Sequence, residues 1–538
     1  MIRKLRNDQR DINTPDDVII KMESRAPDQD PTLGVAVAQS IIKGISTNKL
    51  VTIGDSVTQG FQSGAIFNTR LSWPKIVAYE IGCDSSFRFP LYDGYGGLPL
   101  NIEYLLRVLE QKFGPDINVL ELPLALFEAR HLMAQIEDYW ERGTGATVPP
   151  TSGIMHNLAV YGWDLRDVLD RTTQNLLKDR VIPKDNVFSQ VVENANIRAG
   201  LGVYSSFSLN DTVLDAARKL GEQGALPGTG GNDKTPGIET LIVFLGANNV
   251  LGAVTHLKVE WSNSGYDQLG KAKNSFTAWR PTHFESEYQL LAQKLDEIKA
   301  QHVILVNVPH VTIAPIARGV EGKVEKGSRY FPYYTRPWVK DEQFNPSNDP
   351  HITANEARAL DSAVDQYNDT ISAIVKERRK QGKDWYVMDI AGMLDRLAAR
   401  RYITDFSARP DWWTPYELPY ALKTLYPAVT SHFFSSGPQG RIQGGLFSLD
   451  GIHPTTITYG LIAQEIINIM QLAKVPFYHS DGVTLRQAPV QVNFDRLIKL
   501  DTLISQPPTS LAGDLKILGW LDEVADIFTG FNPFHKQS

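Results

Sequence analysis

Val51-Thr-Ile-Gly-Asp-Ser-Val-Thr-Gln-Gly60 decides how this chain is read. Three β-favouring residues, Val51, Thr52 and Ile53, run directly into Gly54-Asp55-Ser56, and Thr58 and Gly60 follow at alternate positions. A strand that stops abruptly at a small serine flanked by glycine puts a hydroxyl at the edge of a sheet. Taken alone, Gly-Asp-Ser suits a turn or a helix cap equally well. An alkyl hydroxyl also needs a base within hydrogen-bond reach to react near neutral pH. Ser56 is therefore a candidate nucleophile whose partners must come from elsewhere in the chain.

Working outward, apolar strand segments alternate with helical patterns. Leu71–Gly82 reads as a helix, with Ser72 as its cap, Pro74 in its first turn and Ile76, Val77 and Ile81 on its apolar face. A second strand is expected over Ile154–Tyr161, closing at Gly162, before a helix carrying Leu165, Val168 and Leu169. A third runs from Glu239 into Gly246-Ala-Asn248-Asn249, a fourth from His302 to Pro309, and a fifth from Trp385 to Ile390. Between them lie Phe284, Tyr288, Leu291, Leu295 and Ile298 at helical spacing. Thr353-Ala-Asn-Glu356 is a capping box that opens a long helix with Leu360, Val364, Tyr367, Ile371 and Ile374 inward. Almost continuously apolar strands alternating with helices predict an α/β protein, a parallel five-stranded sheet covered on both faces.

The main domain is placed at 49–475, with aromatic-rich insertions near 84–150 and 400–445; a helix is expected from Asn101 to Lys112 in the first. Residues 1–48 form a lead-in with a helix around Val35–Ile42. Residues 476–538 form a C-terminal extension with an amphipathic segment (Leu518, Leu521, Val524, Ile527, Phe528). The net charge of −7 is small for 538 residues and argues against a nucleic-acid partner. One cysteine, Cys83, excludes an intrachain disulfide and a cysteine zinc site. No run of 18 apolar residues suggests a transmembrane helix, and the basic Met1–Arg10 is not followed by the apolar run of a signal peptide. A soluble protein is expected, with its compartment and oligomeric state left open. Gly224–Gly237 lacks the Gly-Lys-Ser/Thr ending of a phosphate loop, and no His-Glu-x-x-His occurs, so neither a cofactor nor a metal is expected.

Partners for Ser56 emerge near the end of the domain. In Ser448-Leu-Asp450-Gly-Ile-His453-Pro, a carboxylate three residues before a histidine can curl back across a glycine turn to the imidazole and set its tautomer. The same pattern also suits a helix cap. Donors for an oxyanion could come from the N–H groups of Ser56 and Gly162 and the side-chain amide of Asn248, each following the carboxyl end of an expected strand.

Four blocks, Gly54-Asp55-Ser56-Val57, Asn157-Leu-Ala-Val-Tyr-Gly162, Gly246-Ala-Asn248-Asn249 and Asp450-Gly-Ile-His453-Pro, appear in the order found in SGNH hydrolases. From about Val51 to Leu472 the chain resembles that GDSL-type esterase and lipase superfamily. The resemblance implies a flavodoxin-like three-layer fold, a nucleophile at Ser56, a base at His453 oriented by Asp450, and an oxyanion hole from Ser56, Gly162 and Asn248. Val57 stands where the family usually has Leu, and Asn249 where it usually has Asp. The expected function is metal-independent cleavage of a small-molecule or lipid carboxylic ester through an acyl-serine. An acyltransferase using the same acyl-serine, or a lipid- or glycan-binding relative without turnover, remains an alternative.

Overall fold

In the computed structural model, residues 9–509 are described, apart from 39–43, 116, 119, 148–152, 184–191, 205, 233 and 270–274. Its centre is a parallel sheet of β1 (Asn48–Gly54), β2 (Ile238–Phe244), β3 (Ala300–Val306) and β4 (Trp385–Met388), in that spatial order. Ile53 pairs with Val243, Val243 with Leu305, and Val387 with Leu305. Period-two alternation sends neighbouring apolar side chains to opposite faces. Val51, Ile53, Leu241, Val243 and Leu305 enter one core, and Leu50, Ile242, Phe244, Ile304 and Val306 enter the other.

Helices cover both faces. On the first, Pro281–Asp296 contributes Phe284, Tyr288 and Leu291, and Ala354–Lys380 contributes Leu360, Val364 and Tyr367. Thr353 and Glu356 form the reciprocal capping box that starts the longer helix. On the second face, Trp73–Glu80 supplies Trp73, Ile76 and Val77, and Thr456–Leu472 supplies Ile457, Leu461 and Ile466. Fully burying such a side chain is worth about 1.5–3 kcal/mol, so these facing stripes fix which helix lies on which face.

Three expectations need correction. The segment expected as a second strand is not regular. It lies beside β1 through a single parallel bridge, Thr52 to Asn157, with Thr52 N–H donating to His156 O and Leu158 N–H to Thr52 O. Val160 N–H donates to Gly54 O at 3.2 Å, and side chains reinforce this short pairing: Asn157 Oδ1 accepts from Thr52 Oγ1 and from Ala159 N, and His156 Nε2 bonds Asn48 Oδ1. Ser72 does precede its helix, but its hydroxyl donates to Thr69 O instead of capping. Over 35–38 there is no helix, and the rest of that predicted helix, like Leu518–Phe528, lies outside the described residues.

The first insertion contains helices Ile102–Phe113, capped by Asn101, and Leu122–Glu141. The second buries Leu422, Phe433 and Phe434 and carries the antiparallel pair Ser435–Gly437 and Gly440–Gln443. Phe477, Val490, Phe494 and Leu497 pack into the core beside Trp73 and Leu461. Among the described residues, no helix is long and apolar enough to cross a membrane.

Candidate active site

β1 ends where it does because nothing larger than glycine fits at position 54. A Cβ there would lie 2.2 Å from Thr58 Oγ1 and 2.9 Å from Phe244 O, since the chain folds straight back into the one-turn helix Ser56–Gln59. Asp55 caps that turn, its Oδ1 accepting from Val57 N at 3.1 Å. Gly60 closes it with φ of 94°, its N–H donating to Ser56 O at 3.0 Å. Gly54, Asp55 and Gly60 thus each have a local role, and Ser56 is left at the first helical position.

His453 Nε2 lies 2.8 Å from Ser56 Oγ, and His453 Nδ1 lies 3.0 Å from Asp450 Oδ2. Asp450 is fully buried and accepts from five donors. Oδ2 takes His453 Nδ1 and Gly64 N; Oδ1 takes Ile452 N, His453 N and the Ser448 hydroxyl. Burial pushes this carboxyl's pKa up, but the attraction of His453 and these bonds outweigh it and hold it below its ordinary value. Ser63 N–H donates to Ser448 Oγ at 2.9 Å, so the turn after the serine is bonded directly to the loop carrying the histidine. The Phe61 ring packs on the His453 ring at 4.5 Å, and Tyr459 donates to Phe61 O. A hydroxyl bonded to an imidazole whose other nitrogen is held by an ionised carboxylate can transfer its proton as it attacks an electrophile.

A second set of contacts ties the segments carrying the three oxyanion candidates to one another. Gln59 Oε1 accepts from Tyr161 N at 2.8 Å, and Asn157 Nδ2 donates to Thr58 O at 3.0 Å, clasping the segment ahead of Gly162 to the serine turn. Gly162 takes φ of 75°, which favours glycine. Asn248 Nδ2 donates one N–H to Trp163 O at 2.8 Å, tying the end of β2 to the residue after Gly162; an amide nitrogen carries a second N–H. Ser56 N–H, at a helix start, has no intrahelical acceptor. Asn249 serves the frame: fully buried, it accepts from Leu165 N through Oδ1 and from Trp279 N through its carbonyl.

No protein-family model matches this chain, and no curated protein matches it. The site therefore stands on its own geometry. Among the described residues, no cluster of three His, Cys, Asp or Glu side chains could hold a metal ion. Of the residues the sequence pointed to, Ser56, His453 and Asp450 are bonded in series, and Gly162 and Asn248 are linked through the neighbouring Tyr161 and Trp163. The sequence assigned no role to Gln59, Asn157, Gly64, Ser448 or Phe61. Those residues act mainly through contacts across large sequence separations, which leave no periodic signal.

Asp55 lies wholly buried beside the site, and burial, only partly opposed by the Val57 N–H and by His453, pushes its carboxyl from the ordinary 3.8 up to about 7. Between those values the folded protein keeps a proton that the unfolded chain releases. The stability this represents is fully present below pH 3.8 and is lost as pH rises towards 7. Asp55→Asn keeps an oxygen for the Val57 N–H and removes the titration. Melting temperatures measured from pH 4 to 8 should show the variant gaining on the parent as pH rises; parallel profiles would refute this.

Proposed function

We propose that this chain is a serine hydrolase of the SGNH, GDSL-esterase type that cleaves carboxylic esters. The observation that carries the reading is the unbroken chain from Ser56 Oγ through His453 to the buried Asp450. In the proposed reaction His453 Nε2 takes the Ser56 proton as Oγ bonds to the carbonyl carbon. The tetrahedral oxyanion is met by donors from Ser56, Gly162 and Asn248. The carbon–oxygen bond to the alcohol breaks, and His453 returns the proton to the leaving alcohol. Water, deprotonated by His453, then attacks the acyl-serine; the acid leaves and Ser56 regains its proton.

The fold supports the same reading. If the segment at Asn157 is counted as an edge strand beside β1, five strands follow the chain order 2-1-3-4-5 of flavodoxin-like sheets. A fluorophosphonate probe should label the parent protein stoichiometrically and leave Ser56→Ala unlabelled while circular dichroism shows both folded. Equal labelling of the two, or none of either, would overturn the assignment.

A further inference from the structure

A cavity of about 280 Å³ lies at the wall of the histidine loop. Phe433, one of its lining residues, has its ring against Gly451, between Asp450 and His453; Ile316 N–H donates to Gly451 O, and the preceding Ala314 and Pro315 also line the cavity. Its size suits a compact group a few atoms long, just under the usual range for drug-sized ligands.

The charges around this cavity are unevenly matched. Arg401 pairs with Asp361 at 2.9 Å and with Asp395 at 3.4 Å, and Arg329 lies 4.0 Å from Asp361. His310, held protonated by these acids against the pull of burial, bridges Asp365 and Asp395, both at 3.1 Å. Three cations thus face three carboxylates. Arg318 is taken by Asp341 at 2.5 Å and by Val339 O. Arg400 differs. It lies half-buried on the cavity wall, its guanidinium 4.6 Å from the centre of the Phe331 ring, and it makes no hydrogen bond or ion pair to any described residue. The acid whose charge acts on it, Asp341, is already bonded to Arg318. A guanidinium stacked on an aromatic face keeps its N–H edge available, and that edge matches a carboxylate in a two-bond fork.

We propose that this cavity is an anion subsite, in which Arg400 receives a carboxylate carried by the ester being cleaved. The inference rests on the hydrolase reading above and names its substrate class: short esters that bear a second, ionised carboxyl group. Apolar walls from Ile313, Pro315 and Phe433 would sheath the carbons next to that carboxylate. Bond making and breaking follow the acyl-serine sequence already described, and Arg400 takes no part in proton transfer.

The test compares aryl glutarate monoester (carboxylate on the acyl side) and 4-carboxyphenyl butyrate (carboxylate on the alcohol side) with phenyl butyrate as the neutral reference. In the parent protein, at least one charged ester should show kcat/KM about 10- to 100-fold above the neutral ester, the range of a charge-assisted bond. Arg400→Gln should abolish that preference while leaving neutral-ester turnover unchanged, and Arg400→Lys should restore part of it. Free glutarate should inhibit the parent competitively and Arg400→Gln much less. Equal kcat/KM for charged and neutral esters in a protein that labels with fluorophosphonate would overturn the subsite and leave the hydrolase reading standing. A parent that neither labels nor turns over any ester overturns both.

Discussion

His453→Ala should lower kcat for a short-chain aryl ester by about 10⁵- to 10⁶-fold, and adding Ser56→Ala should cost almost nothing more. The two side chains meet in one hydrogen bond of 2.8 Å and, in the proposed reaction, serve one proton transfer, so removing either leaves the other without a task. Groups that act as a unit are grossly non-additive in this way, and the residual rate reports the oxyanion donors and binding alone. Initial rates of the two single variants and the double variant, with enough enzyme to see slow turnover, give the cycle. Independent, multiplying losses would mean that Ser56 and His453 do not share a step. The Phe61 ring covers the imidazole, so truncation also opens a small void, and a melting curve separates that cost from the chemical one.

Asp450→Asn should cost about 10⁴-fold in kcat, and it should cost stability as well. Both carboxylate oxygens face only donors. An amide therefore turns N–H towards N–H or O–H in either orientation. With its nitrogen towards His453, the imidazole is driven to the tautomer that presents Nε2–H to Ser56 and cannot accept its proton. With its nitrogen the other way, the N–H groups of Ile452 and His453 lose their acceptor, a penalty of about 1–3 kcal/mol. The acid side of the stability profile checks the same point. A carboxyl held below its ordinary pKa contributes stability that is present above pH 3.8 and is lost as pH falls through the lowered value. Denaturant midpoints should therefore converge for parent and variant under strongly acidic conditions and diverge above pH 4. A constant gap across that range would count against an ionised Asp450.

How much of this was legible in the sequence depended on the range of each interaction. The parallel sheet was, because β2 and β3 are almost unbroken apolar runs and the helix at Ala354 announces itself with Thr353 and Glu356. The serine turn was legible too, since Gly54, Asp55 and Gly60 answer local steric and capping needs. The segment at Asn157 misled because its apolar character reports burial beside β1 but not a regular strand, and its polar side chains share the bonding with a few backbone groups. Gln59 reads as one more polar residue on a helix, yet it anchors a backbone 102 residues away. Arg400 was hidden for a different reason. Its significance lies in the acids that surrounding arginines have already claimed, a matter of three-dimensional neighbours that spacing does not encode.

The bond from His453 to Ser56 spans 397 positions, and the carboxylate behind it is held by Gly64, close to the serine. Chains emerge from the ribosome at about 5–20 residues per second, so the serine would wait roughly 20 to 80 s for its base. Until then its hydroxyl is no more reactive than any other. On the reading proposed above, a nascent chain is chemically silent towards esters, and the power to attack them arrives only when the loop carrying His453 closes on the serine turn.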